Sequence, residues 1–310
     1  MHLKMTTRRD FLKQTLAAGA AMTLAPSWLA LAGDTPVAGG TDVWVIHGED
    51  KRALMKKALE IMFANGGFGS QPDNLTLKVN AAWARTPDEG ACTHPELVEA
   101  FLEGCRDAGV KKSVIPENPC NDPAYAFTRS GIQDAVKKTG AEMINLRMEK
   151  KYWKEHELPQ GRSLKKAKVA SPFMETDVLV NMPVAKHHSS AVLTMAMKNW
   201  MGAVSDRGYW HRNDLHQCIA DCCTLIKPRW TIVDATRIMM SRGPQGPSKD
   251  MKYPNLLVVS KDQVAADSFA STLFHDSIDA VGYLAIARDM EIGETDLAKM
   301  NLHRVEAGAA

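Results

Sequence analysis

Leu75-Thr-Leu-Lys-Val79 is followed by a helical pattern over 95–108 and then by Ser113-Val-Ile115. A short apolar run, an amphipathic stretch long enough to cross back and a second apolar run form a βαβ unit, which lays two strands side by side in parallel. The alternation extends in both directions. Val43-Trp-Val-Ile46 and a helical pattern over 51–64 precede the unit. Met143-Ile-Asn-Leu146, Val178-Leu-Val180, Trp230-Thr-Ile-Val233 and Leu256-Leu-Val-Val-Ser260 follow it, among helical candidates at 131–139, 190–201, 215–226 and 263–274. The pattern predicts an α/β fold with a mostly parallel sheet flanked by helices. Thr93 or His94 is placed to open 95–108, with Glu96 and Glu99 near its positive end, and Asp214 with Gln217 makes a capping-box-like start at 215. The charged stretch 147–168 has neither period and reads as an insertion with room for a helical turn. Segments 205–213 and 241–254 read as irregular, the latter a rigid loop containing Arg242-Gly-Pro-Gln-Gly-Pro247.

The first residues carry a different message. Thr7-Arg-Arg-Asp-Phe-Leu-Lys13 precedes a small-residue apolar stretch over 16–25, then Pro26 and Ala30-Leu31-Ala32. This is the pattern of a twin-arginine (Tat) export signal, too short to span a bilayer and without a charged face. It predicts a signal peptide over 1–32, a single α/β domain over 33–310, export by the twin-arginine translocase and a periplasmic location without a stable membrane span. A composition of 45% hydrophobic and 24% charged residues is that of an ordinary globular chain. A formal net charge of +2 argues against a general nucleic-acid role and leaves room for a local basic patch.

In open parallel sheets, ligands sit beyond the carboxyl ends of the strands. The residues there are Lys78 and Asn80, then Glu117 and Asn118, then 181–188, then Asp234, then Lys261 and Asp262. Lys78 and Asn80 share one face of a strand, opposite Leu77 and Val79. The densest stretches are Asn181-Met-Pro-Val-Ala-Lys-His-His-Ser-Ser190 and Met195-Ala-Met-Lys-Asn-Trp-Met-Gly202. Between Pro183 and Gly243 there are eight Lys and Arg, including Lys186, Lys198 and Arg207, against four Asp. That excess of positive charge fits a small anionic ligand or cofactor, helped by a helix amino terminus near Ser189 or Ser190. A solvated basic surface is the plain alternative. Lys186 and Lys198 favour the site, because an ammonium set among apolar residues is costly without a partner.

Imidazole suits a transition metal, so His187, His188, His211 and His216 are candidate metal ligands. The six cysteines include Cys218, Cys222 and Cys223 on one predicted helix, without a Cys-x-x-Cys pair. Leu215, Ile219, Cys222 and Ile226 form an apolar stripe, which favours a buried thiol at Cys222, and Cys105 reads as core. No nucleophile elbow, P-loop or dinucleotide fingerprint follows any strand. Gly243 and Gly246 let the backbone approach something closely.

Several of these segments, in this order, resemble the family called domain of unknown function 362. They are Lys78-Val-Asn80, Asn181-Met-Pro-Val-Ala-Lys-His-His188, Met197-Lys-Asn-Trp-Met-Gly202, the helix containing His216, Ile232-Val-Asp-Ala235, Gly243-Pro-Gln-Gly246 and Asp262-Gln-Val-Ala-Ala-Asp267. The resemblance covers a core of about 75–274. It implies an association with iron–sulfur proteins, through ferredoxin-like cysteine modules fused to family members, and this chain departs from that pattern in having no such cysteine run.

Together these readings predict an exported protein that binds an anionic or metal-containing cofactor and acts in redox or related small-molecule chemistry, with a redox protein as a candidate partner. Lys78, Asn80, Lys186, Lys198, Asn199, Gly243 and Gly246 are the expected binding residues. Lys186, His188, His216, Asp234 and Asp267 are candidates for proton transfer or for orienting the basic groups. The competing reading is a non-enzymatic periplasmic solute binder or a maturation partner of a redox complex.

Overall fold

The computed structural model describes residues 37–70 and 72–308, so the arginine pair and the apolar stretch behind it lie outside the described residues. Strand β1 (Thr41–His47) leads to Asp50, whose carboxylate accepts the N–H groups of Arg52 and Ala53 and opens α1 (Lys51–Ala64). Leu54, Ala58 and Met62 recur at helical spacing on its buried face. The βαβ unit then appears as β2 (Asn74–Val79), α2 (Pro95–Asp107) and β3 (Lys112–Glu117), with β2 and β3 paired in parallel. The His94 ring accepts the N–H of Glu96 and caps α2. Helices α3 (Pro123–Arg129) and α4 (Ile132–Thr139) lead to β4 (Glu142–Asn145), which extends the sheet in parallel beside β3.

The charged insertion holds structure that its sequence concealed. Strands β5 (Trp153–Glu157) and β6 (Lys166–Ala170) form a separate antiparallel pair. Lys154, Glu155, Glu157, Lys166 and Lys168 are exposed, so the first strand shows little of the apolar–polar alternation that identifies a half-buried hairpin. In contrast, every residue of β7 (Val178–Met182) is buried, and the strand pairs in parallel with β2.

After Pro183 the chain continues as β8 (Val184–His188) and returns antiparallel as β9 (Val192–Thr194). This corrects the expectation of a helix over 190–201: the segment is a turn, a strand and the single turn α5 (Ala196–Asn199). No helix therefore starts at Ser189 or Ser190. The His188 Nδ1 accepts the N–H groups of Ser190 and Ala191, both at 3.1 Å, and these two bonds hold the turn.

Helices α6 (Arg207–Arg212) and α7 (Leu215–Leu225) precede β10 (Trp230–Met239), which is buried throughout and parallel to β7 and β8. β10 runs well past Val233, so Asp234 lies inside the strand rather than beyond its end. After the loop and β11 (Met251–Lys252), β12 (Leu256–Ser260) runs antiparallel to both β10 and β1. Lys261 and Asp262 consequently leave the sheet at the edge opposite to Asn80. Asp262 caps α8 (Gln263–Ser271), and α9 (Gly282–Asp289) and the unanticipated β13 (Met300–Glu306), parallel to β1, complete the fold.

The main sheet has the order β13-β1-β12-β10-β7-β2-β3-β4, and its mostly parallel centre agrees with the α/β class expected from the sequence. From β2 the chain moves outward through β3 and β4, then returns to the other flank of β2 at β7 and moves outward through β10. The carboxyl ends of β2 and β7 therefore border a topological switch point, where doubly wound sheets leave a crevice. Leu77, Val79, Val180 and Met182 pack with Leu54 and Phe101 in the core on one face. Burying each large apolar side chain there contributes roughly 1.5–3 kcal/mol. Alternation sends Lys78 and Asn80 to the other face.

Candidate functional site

A cavity of about 270 Å³ lies at that switch point, and Lys78, Asn80, Lys186, His188, Lys198 and Asn199 line it. Arg207, His211, Glu117, Thr194, Cys120 and Gly202 are among the residues that form the rest of its walls. Strand β2 supplies Lys78, β8 supplies Lys186 and His188, and α5 supplies Lys198 and Asn199. Asn80 follows β2 directly.

Lys78 is held by a network. Its Nζ donates to Glu117 Oε2 at 2.8 Å, to Asn199 Oδ1 at 3.2 Å and to the Val79 carbonyl. Glu117 also accepts the N–H groups of Ala81 at 3.1 Å and Asn118 at 2.9 Å. The Asn199 amide donates to Asn181 Oδ1 at 2.8 Å, and Asn181 donates to the Ala196 carbonyl at 2.9 Å. These bonds tie the ends of β2, β3 and β7 to α5. Burial lowers the Lys78 pKa, and the Glu117 carboxylate opposes that shift.

Lys186 and Lys198 differ. The Lys186 Nζ donates to the Ala91 carbonyl and makes no ion pair among the described residues, and burial lowers its pKa to about 8. Lys198 makes no ion pair or side-chain hydrogen bond among the described residues; burial, then the Lys186 ammonium, lowers its pKa to about 7. His188 is held near a pKa of about 2, first by burial and then by Lys198 and Lys186, so it is neutral. Because its Nδ1 accepts two backbone N–H groups, the ring proton is on Nε2, which makes that atom a donor. Asn80 Oδ1 and Thr194 Oγ1 are buried without a partner on this cavity's wall. The cavity thus gathers the cations Lys78, Lys186, Lys198 and Arg207 around a single carboxylate, Glu117, which Lys78 already occupies. Such a surface is suited to an anion that brings its own hydrogen-bonding groups.

Other predicted residues serve elsewhere. Asp234 pairs with Arg237 at 2.6 Å and accepts the N–H of His94 at 2.9 Å, and Asp267 accepts the N–H groups of Ala196 at 2.7 Å and Met197 at 2.9 Å. Neither orients a lysine of the cavity; Asp267 instead positions the backbone from which Lys198 projects. Gly243 and Gly246 do not line the cavity, although Pro244 does. Gly243 packs against the backbone of His187, whose carbonyl oxygen a Cβ would overlap, and its N–H donates to His187 Nδ1 at 3.1 Å. His216 stacks on Tyr283 with ring centroids 6.1 Å apart. Of the four candidate metal histidines, His188 and His211 share the cavity, whereas His187 and His216 do not.

Among the described residues no group of three or more His, Cys, Asp or Glu is arranged to hold a metal. All six cysteines are free, and burial raises the pKa of Cys92, Cys105, Cys218, Cys222 and Cys223, with Cys218 at about 11. The sequence did not single out Thr194 or Cys120, and it offered Gly202 only as the end of the segment 195–202. Thr194 was hidden by the helix expected over 190–201, Cys120 reaches the cavity from a loop without a periodic signal, and Gly202 reaches it from the 3-10 turn Trp200–Gly202.

Fold and cavity define a mostly parallel α/β protein with a cationic site at the switch point of its sheet. The chain belongs to the family described as Domain of unknown function (DUF362), which matches residues 75–272. It is 24% identical over 224 residues to a protein of Synechocystis sp. described as thylakoid-associated, covering 69% of this chain and 67% of that one. Among solved structures, it is similar to the lactate racemase apoprotein from Thermoanaerobacterium thermosaccharolyticum, with a TM-score of 0.48 and 14% identity over 78% of this chain and 59% of that one. It is also similar to a structural-genomics protein from Thermotoga maritima, with a TM-score of 0.47 and 10% identity over 74% of this chain and 61% of that one. The chain spans about three fifths of the length of each of these two structures.

Proposed function

We propose that this protein binds a small anionic molecule in the switch-point cavity and carries out proton-transfer chemistry on it. The observation that carries the reading is the convergence of Lys78, Lys186, Lys198 and Arg207 on one cavity whose single carboxylate is already paired. A carboxylate or phosphate group would supply the missing negative charge. Lys198 is the proton carrier of this reading, because its pKa of about 7 makes both the amine and the ammonium available near neutrality. Neutral His188 supplies a fixed Nε2–H donor to the same ligand.

The twin-arginine pattern around Arg8 and Arg9 supports a periplasmic place of work and passage through the translocase in a folded state. Redox chemistry of the bound molecule, served by a partner protein, is compatible with this site and would use the same anion-binding residues.

Calorimetric titration of the purified protein with inorganic phosphate and with malonate tests the reading. Saturable binding of at least one, weakened about tenfold or more in Lys198→Met, is expected, since the variant keeps the stem and removes the charge. Absence of binding by both anions at low ionic strength would refute it.

A further inference from the structure

A second cavity of about 550 Å³ adjoins the first, and Asn118 and Arg207 line both. The Arg207 guanidinium donates to the carbonyls of Asn118 at 2.7 Å and Pro119 at 2.9 Å, which fixes it on the divide and leaves its remaining N–H groups for a ligand on either side. The other walls of the outer chamber carry Arg147, Lys150 and Lys168, with the half-buried indole of Trp153 among them. No carboxylate lines it.

Arg147, Lys150 and Lys168 are exposed, and none of the three takes part in an ion pair among the described residues. The neighbouring Lys151, Lys154 and Lys166 each pair with a glutamate, respectively Glu149, Glu175 and Glu155. Lys150 and Lys168, which line the chamber, take part in no ion pair among the described residues. Arg147 is anchored by a bond to the Asn121 carbonyl at 2.9 Å. Along this hairpin and its approach, Lys165 outside the chamber bonds only to the Gly161 carbonyl at 2.8 Å, and of the lysines that face glutamates none lines the chamber. Size points the same way. At about 270 Å³ the inner cavity falls just below the range of roughly 300–1,000 Å³ usual for whole small-molecule ligands, whereas the adjoining chamber brings the composite site well within it.

We propose that the two chambers form one site for an extended, phosphorylated ligand with a flat ring, a nucleotide-like molecule. Its polar head enters the inner cavity, its phosphoryl group lies among Arg207, Arg147, Lys150 and Lys168, and its ring rests against Trp153. Arginine and lysine around a dianion give charge-assisted hydrogen bonds, and an indole face offers a stacking surface. This inference rests on the reading of an anion in the inner cavity and adds the class of molecule that the site accepts.

The test is calorimetric titration of wild type, Lys150→Ala/Lys168→Ala and Trp153→Ala with inorganic phosphate, ribose 5-phosphate and AMP. All three substituted side chains are at least partly exposed, and circular dichroism establishes that the variants are folded. Expected results are AMP binding about tenfold or more tighter than inorganic phosphate, and loss of most of that advantage in the double lysine variant, which keeps saturable phosphate binding through the inner cavity's own cations. Trp153→Ala should bring AMP down to the affinity of ribose 5-phosphate. Equal affinities for AMP and phosphate in wild type, or undiminished AMP binding in the double variant, overturn the composite site while leaving the inner anion site standing. Failure of all three probes to bind overturns the composite site, and the inner anion site falls with it only if malonate also fails to bind.

Discussion

Lys78 Nζ lies 2.8 Å from Glu117 Oε2, with the two side chains 1% and 2% exposed, whereas Lys198 in the same cavity makes no ion pair among the described residues. Two lysines on one wall therefore have different physical standing. One completes a buried pair that holds strand ends together. The other is a buried amine that makes no ion pair among the described residues.

Lys78→Met should destabilise the fold by roughly 3–5 kcal/mol, because it strands the Glu117 carboxylate in a closed site. Urea denaturation of wild type and variant measures this. A loss below about 1 kcal/mol would show that the pair does not brace the sheet.

For Lys198→Met the opposite is expected. No partner is stranded, and removal of an uncompensated buried amine leaves the ligand-free protein as stable as wild type or more so. Thermal melting should show an unchanged or higher Tm without ligand and no stabilisation by added anion, where wild type gains stability according to ligand occupancy. A marked fall in Tm without ligand would reveal a structural role for Lys198 instead.

Anion affinity should fall as pH rises. The ammonium form binds the anion, and burial places the Lys198 pKa near 7 and that of Lys186 near 8, both below the ordinary lysine value of 10.5. Binding is therefore strongest below about pH 7 and weakens as these groups lose their protons, by up to about tenfold per pH unit for each group above its pKa. The stability sign is separate. The unfolded chain holds these protons up to about pH 10, so both lysines make folding more favourable as pH rises from about 7 toward 10. Titrations from about pH 6 to about pH 9 check the binding profile, and a flat profile would remove Lys186 and Lys198 from the anion site.

Gly202 sits where a side chain cannot. A Cβ there would overlap Glu117 Oε1 and stand 2.8 Å from Lys78 Nζ. Gly202→Ala should cost roughly 1–3 kcal/mol by overpacking and should weaken phosphate binding through displacement of the Lys78–Glu117 pair. Denaturation and calorimetry on the same variant check both effects.

Export is expected to depend on the arginine pair. Conversion of Arg8 and Arg9 together to Lys should leave full-length precursor in the cytoplasm, since the translocase reads that pair directly. Fractionation and immunoblotting measure this, and unchanged accumulation of shortened protein outside the inner membrane would remove the localisation proposal.

Local periodicity was enough to read much of the frame. The helix over 51–64, the βαβ unit from Leu75 to Ile115 and the shared face of Lys78 and Asn80 were all legible, because a period of 3.6 or 2 is written into neighbouring residues. The family segments containing Lys186, Lys198 and Asn199 could likewise be picked out by their cations among apolar neighbours. Tertiary structure decided the rest. Residues 190–201 carry apolar positions compatible with either period, and pairing of β9 with β8 settled them as a hairpin that brings Thr194 to the cavity. The antiparallel direction of β12 carried Asp262 to the far edge, and the length of β10 carried Asp234 into the sheet. Glu117 comes to Lys78 from a strand 39 positions away. Strand direction, register and charge partnership depend on contacts between residues remote in the chain, so the order of residues names the candidate cations but only the folded sheet determines which of them are paired.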